Sequence, residues 1–170
     1  MLKQLKVSVV ESDFDKGNTY SFEFTSSAEE LDVVSEQYAI DGPIDIRGTV
    51  VHTGNCYRVE GTVDFPKSFL CDRCLEASTS VESFTFSEEY KQSSLCDDKS
   101  DAVLFCGEFI DITELIRETI LLSQPINNIC SPECRGLCLK CGANLNKGEC
   151  GCDRHVADPR LAALQKFFNK

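Results

Sequence analysis

The sequence predicts an α+β fold: an antiparallel, bent or partly closed β-sheet with a few helices, followed by a cysteine-rich C-terminal segment. Three observations support this prediction. Short runs rich in β-branched residues, separated by Gly or Pro, fill much of the first half of the chain. One strong amphipathic helical pattern follows and ends at Pro125. Eight cysteines stand in short pairs, and six of these lie between Cys130 and Cys152.

The first two strands are expected near the N-terminus. The stretch Leu5 to Glu11 alternates between apolar and polar residues, and Tyr20 to Phe24 is a second alternating run. Ser27 and Glu30 then stand at capping-box spacing before LDVVSEQ. A short helix is therefore expected to begin at Ser27.

From Ile44 the pattern is typical of an antiparallel meander. Short runs with tight turns between them predict neighbouring strands of one sheet. The runs are Ile44, Ile46, Thr49–Val51, Cys56–Val59, Thr62–Phe65 and Ser80–Phe86. The stretch HTGN at 52–55 is a turn signal. Cys71 and Cys74 fall at the turn between a strand that ends near Leu70 and one that starts near Ser78.

Two helices are expected in the second half of the chain. Residues 88–101 are polar and lack periodicity, which predicts a loop. Asp111 then starts a helix, with Glu114 at the capping-box position. Its apolar stripe consists of Ile112, Leu115, Ile116, Ile120 and Leu122. Asp158-Pro159 is expected to start a final helix with Leu161, Leu164 and Phe168 on one face.

The charge divides the chain into two regions. Residues 1–125 hold 10 Lys and Arg against 24 Asp and Glu, a net charge of −14, whereas residues 126–170 hold 7 against 4, a net charge of +3. We therefore expect an acidic β-rich body over 1–125 with one helix near its end, and a metal-binding segment with a C-terminal helix over 126–170, packed on the body. The acidic body repels phosphate backbones and attracts basic partners, although it also serves as a plain solubilising surface.

The compartment follows from what the sequence lacks. No apolar run approaches the ~20 residues that a membrane helix needs, and MLKQLKVSVV is not a secretory signal. A cytoplasmic protein without a membrane partner is expected. Thiols stay reduced in that compartment, so eleven cysteines indicate metal binding rather than disulfides.

The paired cysteines predict two four-thiolate zinc sites, since soft thiolates at tetrahedral spacing favour zinc. Cys138-x2-Cys141-Gly142 has the form of a zinc knuckle, and Cys150-Gly-Cys152 can complete its site. The remaining pairs would form a second site that ties the C-terminal segment to the sheet: Cys71, Cys74, Cys130 and Cys134. Two alternatives stay open, namely a site that combines Cys134 with Cys138 and Cys141, and redox-active thiols in place of a metal site.

The other candidate residues carry weaker signals. Cys56, Cys96 and Cys106 lack partner spacing and are interpreted as small core or loop residues. Basic residues of the C-terminal segment offset thiolate charge or contact RNA phosphate; the candidates for RNA contact are Arg135, Lys140, Arg154 and Arg160. His52 and His155 are isolated, and no catalytic constellation is present. A site filled by four thiolates has no open position, so neither enzymatic activity nor a small-molecule substrate is expected.

Several motifs together resemble one known family. They are CDRCLE at 71–76, DITELIRETILLSQP at 111–125, GLCLKCGANLNKGECGC at 136–152 and Asp158-Pro-Arg-Leu161. In this order, over roughly residues 40–168, they are similar to the cysteine-rich form of the YceD family, the large ribosomal RNA subunit accumulation proteins. Leu139 stands where a proline is usual in that family, which should alter only the rigidity of the knuckle.

The resemblance implies a bacterial cytoplasmic factor, or a plastid factor in plants, needed for large-subunit (23S) ribosomal RNA to accumulate and be processed. In bacteria the family's gene commonly adjoins that of a small large-subunit ribosomal protein. Together with the acidic body, this favours a non-enzymatic factor that engages a basic ribosomal protein or a precursor of the large subunit, with ribosomal RNA contacted through the C-terminal segment. The competing hypotheses are a redox-responsive zinc-thiolate protein and a zinc-ribbon transcription factor, and the acidic charge disfavours the latter.

Overall fold

The computed structural model describes residues 3–9, 19–54, 56–93 and 102–153. Strands dominate these residues, and one helix follows the last strand. The strands are β1 (Lys6–Ser8), β2 (Thr19–Ser26), β3 (Tyr38–Ile40), β4 (Ile44–His52), β5 (Tyr57–Leu70), β6 (Ala77–Gln92), β7 (Val103–Phe105) and β8 (Phe109–Asp111). The helix is α1 (Thr113–Leu122).

The larger sheet has the order β2-β4-β5-β6-β7, and β1 and β8 form a separate antiparallel pair. Neighbouring strands of the larger sheet are antiparallel except for β6 and β7, whose parallel pairing makes the sheet mixed. The sheet is open in the described chain, because β2 and β7 do not pair with each other. The predicted antiparallel meander is thus confirmed for β4, β5 and β6, while one helix is present among the described residues where a few were expected.

The centre of the sheet is the long hairpin of β5 and β6, which pairs from Tyr57↔Tyr90 to Leu70↔Ala77. β5 runs unbroken through Pro66, so what the sequence indicated as separate short runs is one strand. β4 pairs with the first part of β5, and β3 pairs with its last part on the same edge. Between them the chain approaches Pro66 closely, because a Cβ added at Gly42 would lie 2.7 Å from Pro66 Cγ.

The core lies against one face of this sheet and is covered by α1 and the β1–β8 pair. Alternate residues point inward, as Val59, Val63 and Phe65 do in β5. Ile116 and Ile120 of α1 are fully buried, as the predicted stripe requires, but Leu122 is 82% exposed. The larger of two clusters of buried residues extends from Leu5 to Ile120, and the smaller one contains Cys71, Cys74 and Cys134.

The predicted start of α1 is correct to within two residues. The Asp111 carboxylate accepts a hydrogen bond from the Thr113 backbone N–H at 3.0 Å. Glu114 does not form the expected capping box; its carboxylate pairs with Arg117 one turn later. The helix ends at Leu122, before Pro125.

Two expectations are wrong in the described chain. Ser27 and Glu30 form the capping box, with both backbone N–H groups bonded to the opposite side chain at 3.3 Å, but only a turn follows. Asp32 adopts a left-handed backbone (φ 54°), which stops a helix from continuing. In addition, β6 continues to Gln92, so residues 88–92 are strand rather than loop. Most of the rest of that predicted loop, 94–101, and the predicted C-terminal helix lie outside the described residues.

Candidate metal centres

The hairpin turn between β5 and β6 forms the first cysteine knuckle. The Leu75 N–H donates to the Cys71 carbonyl at 2.8 Å, and the Cys71 N–H donates to the Glu76 carbonyl at 2.9 Å. This turn directs the side chains of Cys71 and Cys74 to one point. Leu75 has φ of 58°, a left-handed conformation that costs a non-glycine residue about 1–2 kcal/mol.

Cys130 and Cys134 complete the first cluster, which contains Cys71, Cys74, Cys130 and Cys134. The Sγ atoms of Cys71 and Cys134 are 3.8 Å apart, as are those of Cys74 and Cys130. All four Sγ atoms lie within 4.8 Å of one another, and only Cys130 is exposed. The cluster therefore joins the sheet hairpin to the segment that follows α1.

Three hydrogen bonds donated by backbone N–H groups support the same junction. Asp72 and Asn128 are linked twice: the Asp72 N–H donates to the Asn128 carbonyl at 2.8 Å, and the Asn128 N–H donates to the Asp72 carboxylate at 2.7 Å. The Leu137 N–H donates to the Arg73 carbonyl at 3.1 Å. A Cβ at Gly136 would lie 3.0 Å from that carbonyl, so the close approach and the φ of 69° both favour glycine there.

The second cluster contains Cys138, Cys141, Cys150 and Cys152. Its knuckle repeats the first one: the Gly142 N–H donates to the Cys138 carbonyl at 2.8 Å, and the Cys138 N–H donates to the Ala143 carbonyl at 2.8 Å. Gly142, at φ of 72°, takes the place that Leu75 has in the first knuckle. Only Cys138 is buried in this cluster, and Cys141 is exposed.

The pKa values of the thiols in the first cluster are shifted in opposite directions. Burial raises the pKa of Cys71, but hydrogen bonds from the backbone of Cys130, Cys74 and Arg73 outweigh it and lower that pKa to about 6. The neighbouring sulfurs of Cys71 and Cys134 raise the pKa of Cys130 to about 12. Deprotonation of one thiol is thus favoured, and the neighbouring sulfurs then oppose deprotonation of the next thiol. A cation at the centre of the cluster would offset this repulsion.

The second cluster behaves in the same way. Backbone hydrogen bonds from Cys141 and Lys140, with a contribution from the Cys150 thiol, lower the pKa of Cys138 to about 6. The thiols of Cys141 and Cys150 raise the pKa of Cys152 to about 12. Four sulfur donors converge at each cluster, so either one could hold a metal ion.

A loop asparagine that the sequence analysis did not single out links the two clusters. The Asn146 carboxamide donates to Cys134 Sγ at 3.3 Å, and its Oδ1 accepts from the Arg135 N–H at 2.7 Å. Asn146 belongs to the loop between the two cysteine pairs of the second cluster but contacts a sulfur of the first. Outer contacts of this kind orient metal ligands. The only sequence signal for this contact is that GANLNKGE at 142–149 is a polar stretch that contains asparagine.

The structure brings the eight candidate ligands together in the two sets of four and does not form the mixed set of Cys134 with Cys138 and Cys141. Of the candidate RNA contacts, Arg135 pairs with the Glu149 carboxylate, and Lys140 is exposed. Arg154 and Arg160 lie outside the described residues, as do His155 and Cys96. His52 stacks on Tyr57 with ring centroids 4.6 Å apart, away from both clusters.

The family comparison covers both clusters. Residues 59–168, more than half of the chain, match the model of the family "Large ribosomal RNA subunit accumulation protein YceD". The chain belongs to the YceD family. All eight clustered cysteines of this YceD member lie inside the matched range.

Two of the relatives that the chain resembles carry the family's name. The chain is 47% identical over 55 residues to the large ribosomal RNA subunit accumulation protein YCED homolog 1, chloroplastic, of Arabidopsis thaliana, covering 32% of this chain and 17% of the relative. The homologue of the same name from Zea mays is 50% identical over 44 residues, 25% of this chain and 15% of the relative. An uncharacterized protein of Mycobacterium bovis is 30% identical over 131 residues, 74% of this chain and 61% of the relative.

The chain thus spans less than two thirds of the length of each of these relatives. No solved structure matches it. Among the described residues, no helix has the length and apolar character needed to cross a membrane.

Proposed function

We propose that this chain is a non-enzymatic factor of large-subunit biogenesis, needed in the cytoplasm for 23S ribosomal RNA to accumulate and be processed. The observation that carries the proposal is the family match over 59–168, together with relatives named for large ribosomal RNA subunit accumulation. Its direct partner is a basic ribosomal protein or a precursor of the large subunit. The net charge of −14 over 1–125 supports a basic protein partner more than bare RNA.

Each cysteine cluster holds one zinc ion in this proposal. Four thiolates fit zinc better than they fit hard-ligand metals such as magnesium or calcium. The ion of the first cluster would hold the segment of residues 126–170 against the acidic body. The ion of the second cluster would stabilise a loop within that segment. Since four sulfurs fill each site, neither ion has a free position for a substrate, which supports a structural rather than a catalytic role.

Contact with ribosomal RNA is assigned to the C-terminal segment. Lys140 and Arg135 lie on the exposed surface beside the second cluster, and Arg154 and Arg160 add charge further along the chain. Charge reversal of these four residues is expected to weaken RNA binding while leaving binding to a ribosomal protein in place.

Depletion of the protein tests the function directly. Cells that lack it should accumulate less mature 23S ribosomal RNA and show a deficit of large subunits in sucrose gradients, with 16S ribosomal RNA unaffected. Complementation with the full-length gene is the control. A normal 23S profile in depleted cells would contradict the proposal.

Pull-downs with and without RNase separate the two kinds of partner. Large-subunit proteins should stay bound after RNase treatment, because the acidic body holds them by charge. If they are lost on RNase treatment while the purified protein binds bare RNA tightly at physiological salt, the partner is RNA instead.

A redox-responsive zinc-thiolate protein is the second candidate, and the exposure of Cys141 is the observation that favours it. Exposed thiolates are the ones that oxidants reach. Peroxide titration of the metal-loaded protein decides this case. Release of one ion at peroxide levels that leave other cytoplasmic zinc proteins intact would support a redox role, and resistance would rule it out.

A further inference from the structure

An open groove of about 1140 Å³ lies beside the first cysteine cluster. Its walls come from residues 35–37 and β3, from the adjoining ends of β5 and β6 with the turn between them, and from residues 126–128 after α1. Three large apolar side chains on these walls are exposed to solvent: Leu70 by 60%, Leu75 by 64% and Ile126 by 95%. Leu70 and Leu75 come from the β5–β6 hairpin and Ile126 comes from the segment after α1, and the first cluster joins these two stretches.

Leu75 is the informative member of this set. Its left-handed backbone closes the first knuckle, and Gly142 closes the second knuckle with the same hydrogen bond. Glycine adopts this conformation without strain, so the knuckle itself gives no reason for leucine. The leucine side chain is also mostly outside the core. A strained residue that exposes its side chain points to a contact beyond the described fold.

The charge of the groove restricts the partner. Among the described residues, Glu36 and Asp72 are the charged residues that line it, and no Lys or Arg does. The Lys67 ammonium lies against the Tyr38 and Phe69 rings, but it is buried and donates to Gln124 Oε1 at 2.7 Å. The accessible charge is therefore negative, which repels a phosphate backbone and attracts Lys and Arg side chains.

We propose that this groove binds an extended, basic segment of a large-subunit ribosomal protein, with one large apolar side chain packed against Leu70, Leu75 and Ile126. The apolar contact supplies binding energy, and the carboxylates of Glu36 and Asp72 select flanking cationic residues. This inference rests on the proposed function for the source of the segment, whereas the chemistry of the segment follows from the groove alone.

Photo-crosslinking locates the occupant. A benzoylphenylalanine placed at Ile126 in the full-length, metal-loaded protein is irradiated with the RNA-free protein fraction of purified large subunits. Val81, exposed by 78% on β6 outside the groove, is the matched control position. Crosslinks from position 126, and not from position 81, should map by mass spectrometry to a Lys- and Arg-rich segment of a ribosomal protein.

Three results would overturn the proposal. The first is equal crosslinking from positions 126 and 81. The second is crosslinks that map to residues 154–170 of the same chain, and the third is crosslinks that map to a second copy of the chain. In the last two cases the groove is occupied by this protein itself.

Substitutions measure the contribution of each wall. Leu75→Gly keeps the backbone conformation that the knuckle requires and removes only the side chain, so its metal content should equal that of wild type. Its affinity for the crosslinked segment, prepared as a synthetic peptide, should fall about tenfold or more, as for loss of a central apolar contact. Glu36→Lys should weaken binding and reduce its dependence on salt. Val81→Ser and Glu60→Lys are the controls outside the groove.

Wild-type affinity in Leu75→Gly would refute the groove as the binding site. The same variant separates this inference from the proposed function when it is expressed in depleted cells. If Leu75→Gly restores 23S ribosomal RNA as well as wild type does, the groove proposal fails and the function stands. If depletion itself leaves 23S ribosomal RNA normal, the proposed function fails. The affinity of Leu75→Gly for the peptide then still tests whether the groove is a binding site.

Discussion

The two cysteine clusters each contain four thiols and a knuckle of the same geometry, but their cysteines are spaced differently along the chain. Cys71 and Cys134 of the first cluster are 63 positions apart, whereas the second cluster lies wholly within residues 138–152. The first is mostly buried at the junction of hairpin and C-terminal segment, and the second is more exposed. The same chemistry therefore holds two regions together in one place and builds a local loop in the other.

The largest difference is expected between Cys71→Ser and Cys138→Ser. Cys71→Ser removes a ligand of the zinc ion proposed for the first cluster, which would close a loop of more than 50 residues. The free energy of unfolding should therefore fall by about 2–5 kcal/mol, the range for losing a disulfide cross-link. Cys138→Ser should leave the unfolding of the sheet nearly unchanged. Chemical denaturation followed by circular dichroism measures both, and elemental analysis should show one zinc ion fewer in each variant.

Limited proteolysis gives an independent check of this pair. Cleavage of Cys138→Ser should begin within residues 136–153, because a metal-built loop has little core of its own. Cleavage of the β5–β6 hairpin at the same rate would show that the two clusters are not separable.

At acid pH the two clusters should release their metal ions at different rates. A thiol whose pKa is lowered on folding, as for Cys138 from 9.0 to about 6, contributes stability above pH 9 that is lost as the pH falls through 6. Cys71 has the same shift, and protons compete with a metal ion for thiolate sulfur, so acid should release metal from both clusters. The exposed second cluster should release its ion first. Stopped-flow measurements with a zinc indicator would show two phases at pH 5, and Cys138→Ser should abolish the faster one.

The smallest effects are expected from exchanging the residues that close the knuckles. Gly142→Ala places a side chain in open space, so its cost is backbone strain alone, about 1–2 kcal/mol. Leu75→Gly relieves the same strain but gives the unfolded chain more freedom, and these two effects oppose each other. Thermal unfolding should therefore show a lower melting temperature for Gly142→Ala and little change for Leu75→Gly. A large loss in Leu75→Gly would mean that the leucine supports the fold.

The sequence was most informative where the signal is local. Cysteine spacing, the alternation of the strands and the stripe of α1 each depend on neighbouring residues, and the structure shows strands and a helix at these places. The Ser27–Glu30 capping box forms as the spacing predicts. A capping box cannot show, however, that Asp32 takes a left-handed backbone two residues later. Propensity ranks the conformations of each residue, and tertiary packing chooses among them.

Apart from the grouping of Cys71 and Cys74 with Cys130 and Cys134, longer-range features gave no usable signal. β7 and β8 have three residues each, too short for a period to be seen, and they exist because β6 and β1 provide pairing partners. Lys67 is a second case, since a lysine is rarely buried, yet here it is 1% exposed against Gln124 at the end of α1. The groove beside Leu75 likewise depends on three stretches meeting in space.

The long separation of Cys71 from Cys134 also sets an order of events when the unfolded chain refolds. The ligands of the second cluster lie close together in sequence, so they can capture an ion before the sheet is complete, at little cost in loop-closure entropy. The first cluster has to wait until the β5–β6 hairpin has formed and the segment after α1 has reached it. When zinc is scarce, refolding chains should accumulate with the second cluster filled and the segment after α1 still detached from the sheet.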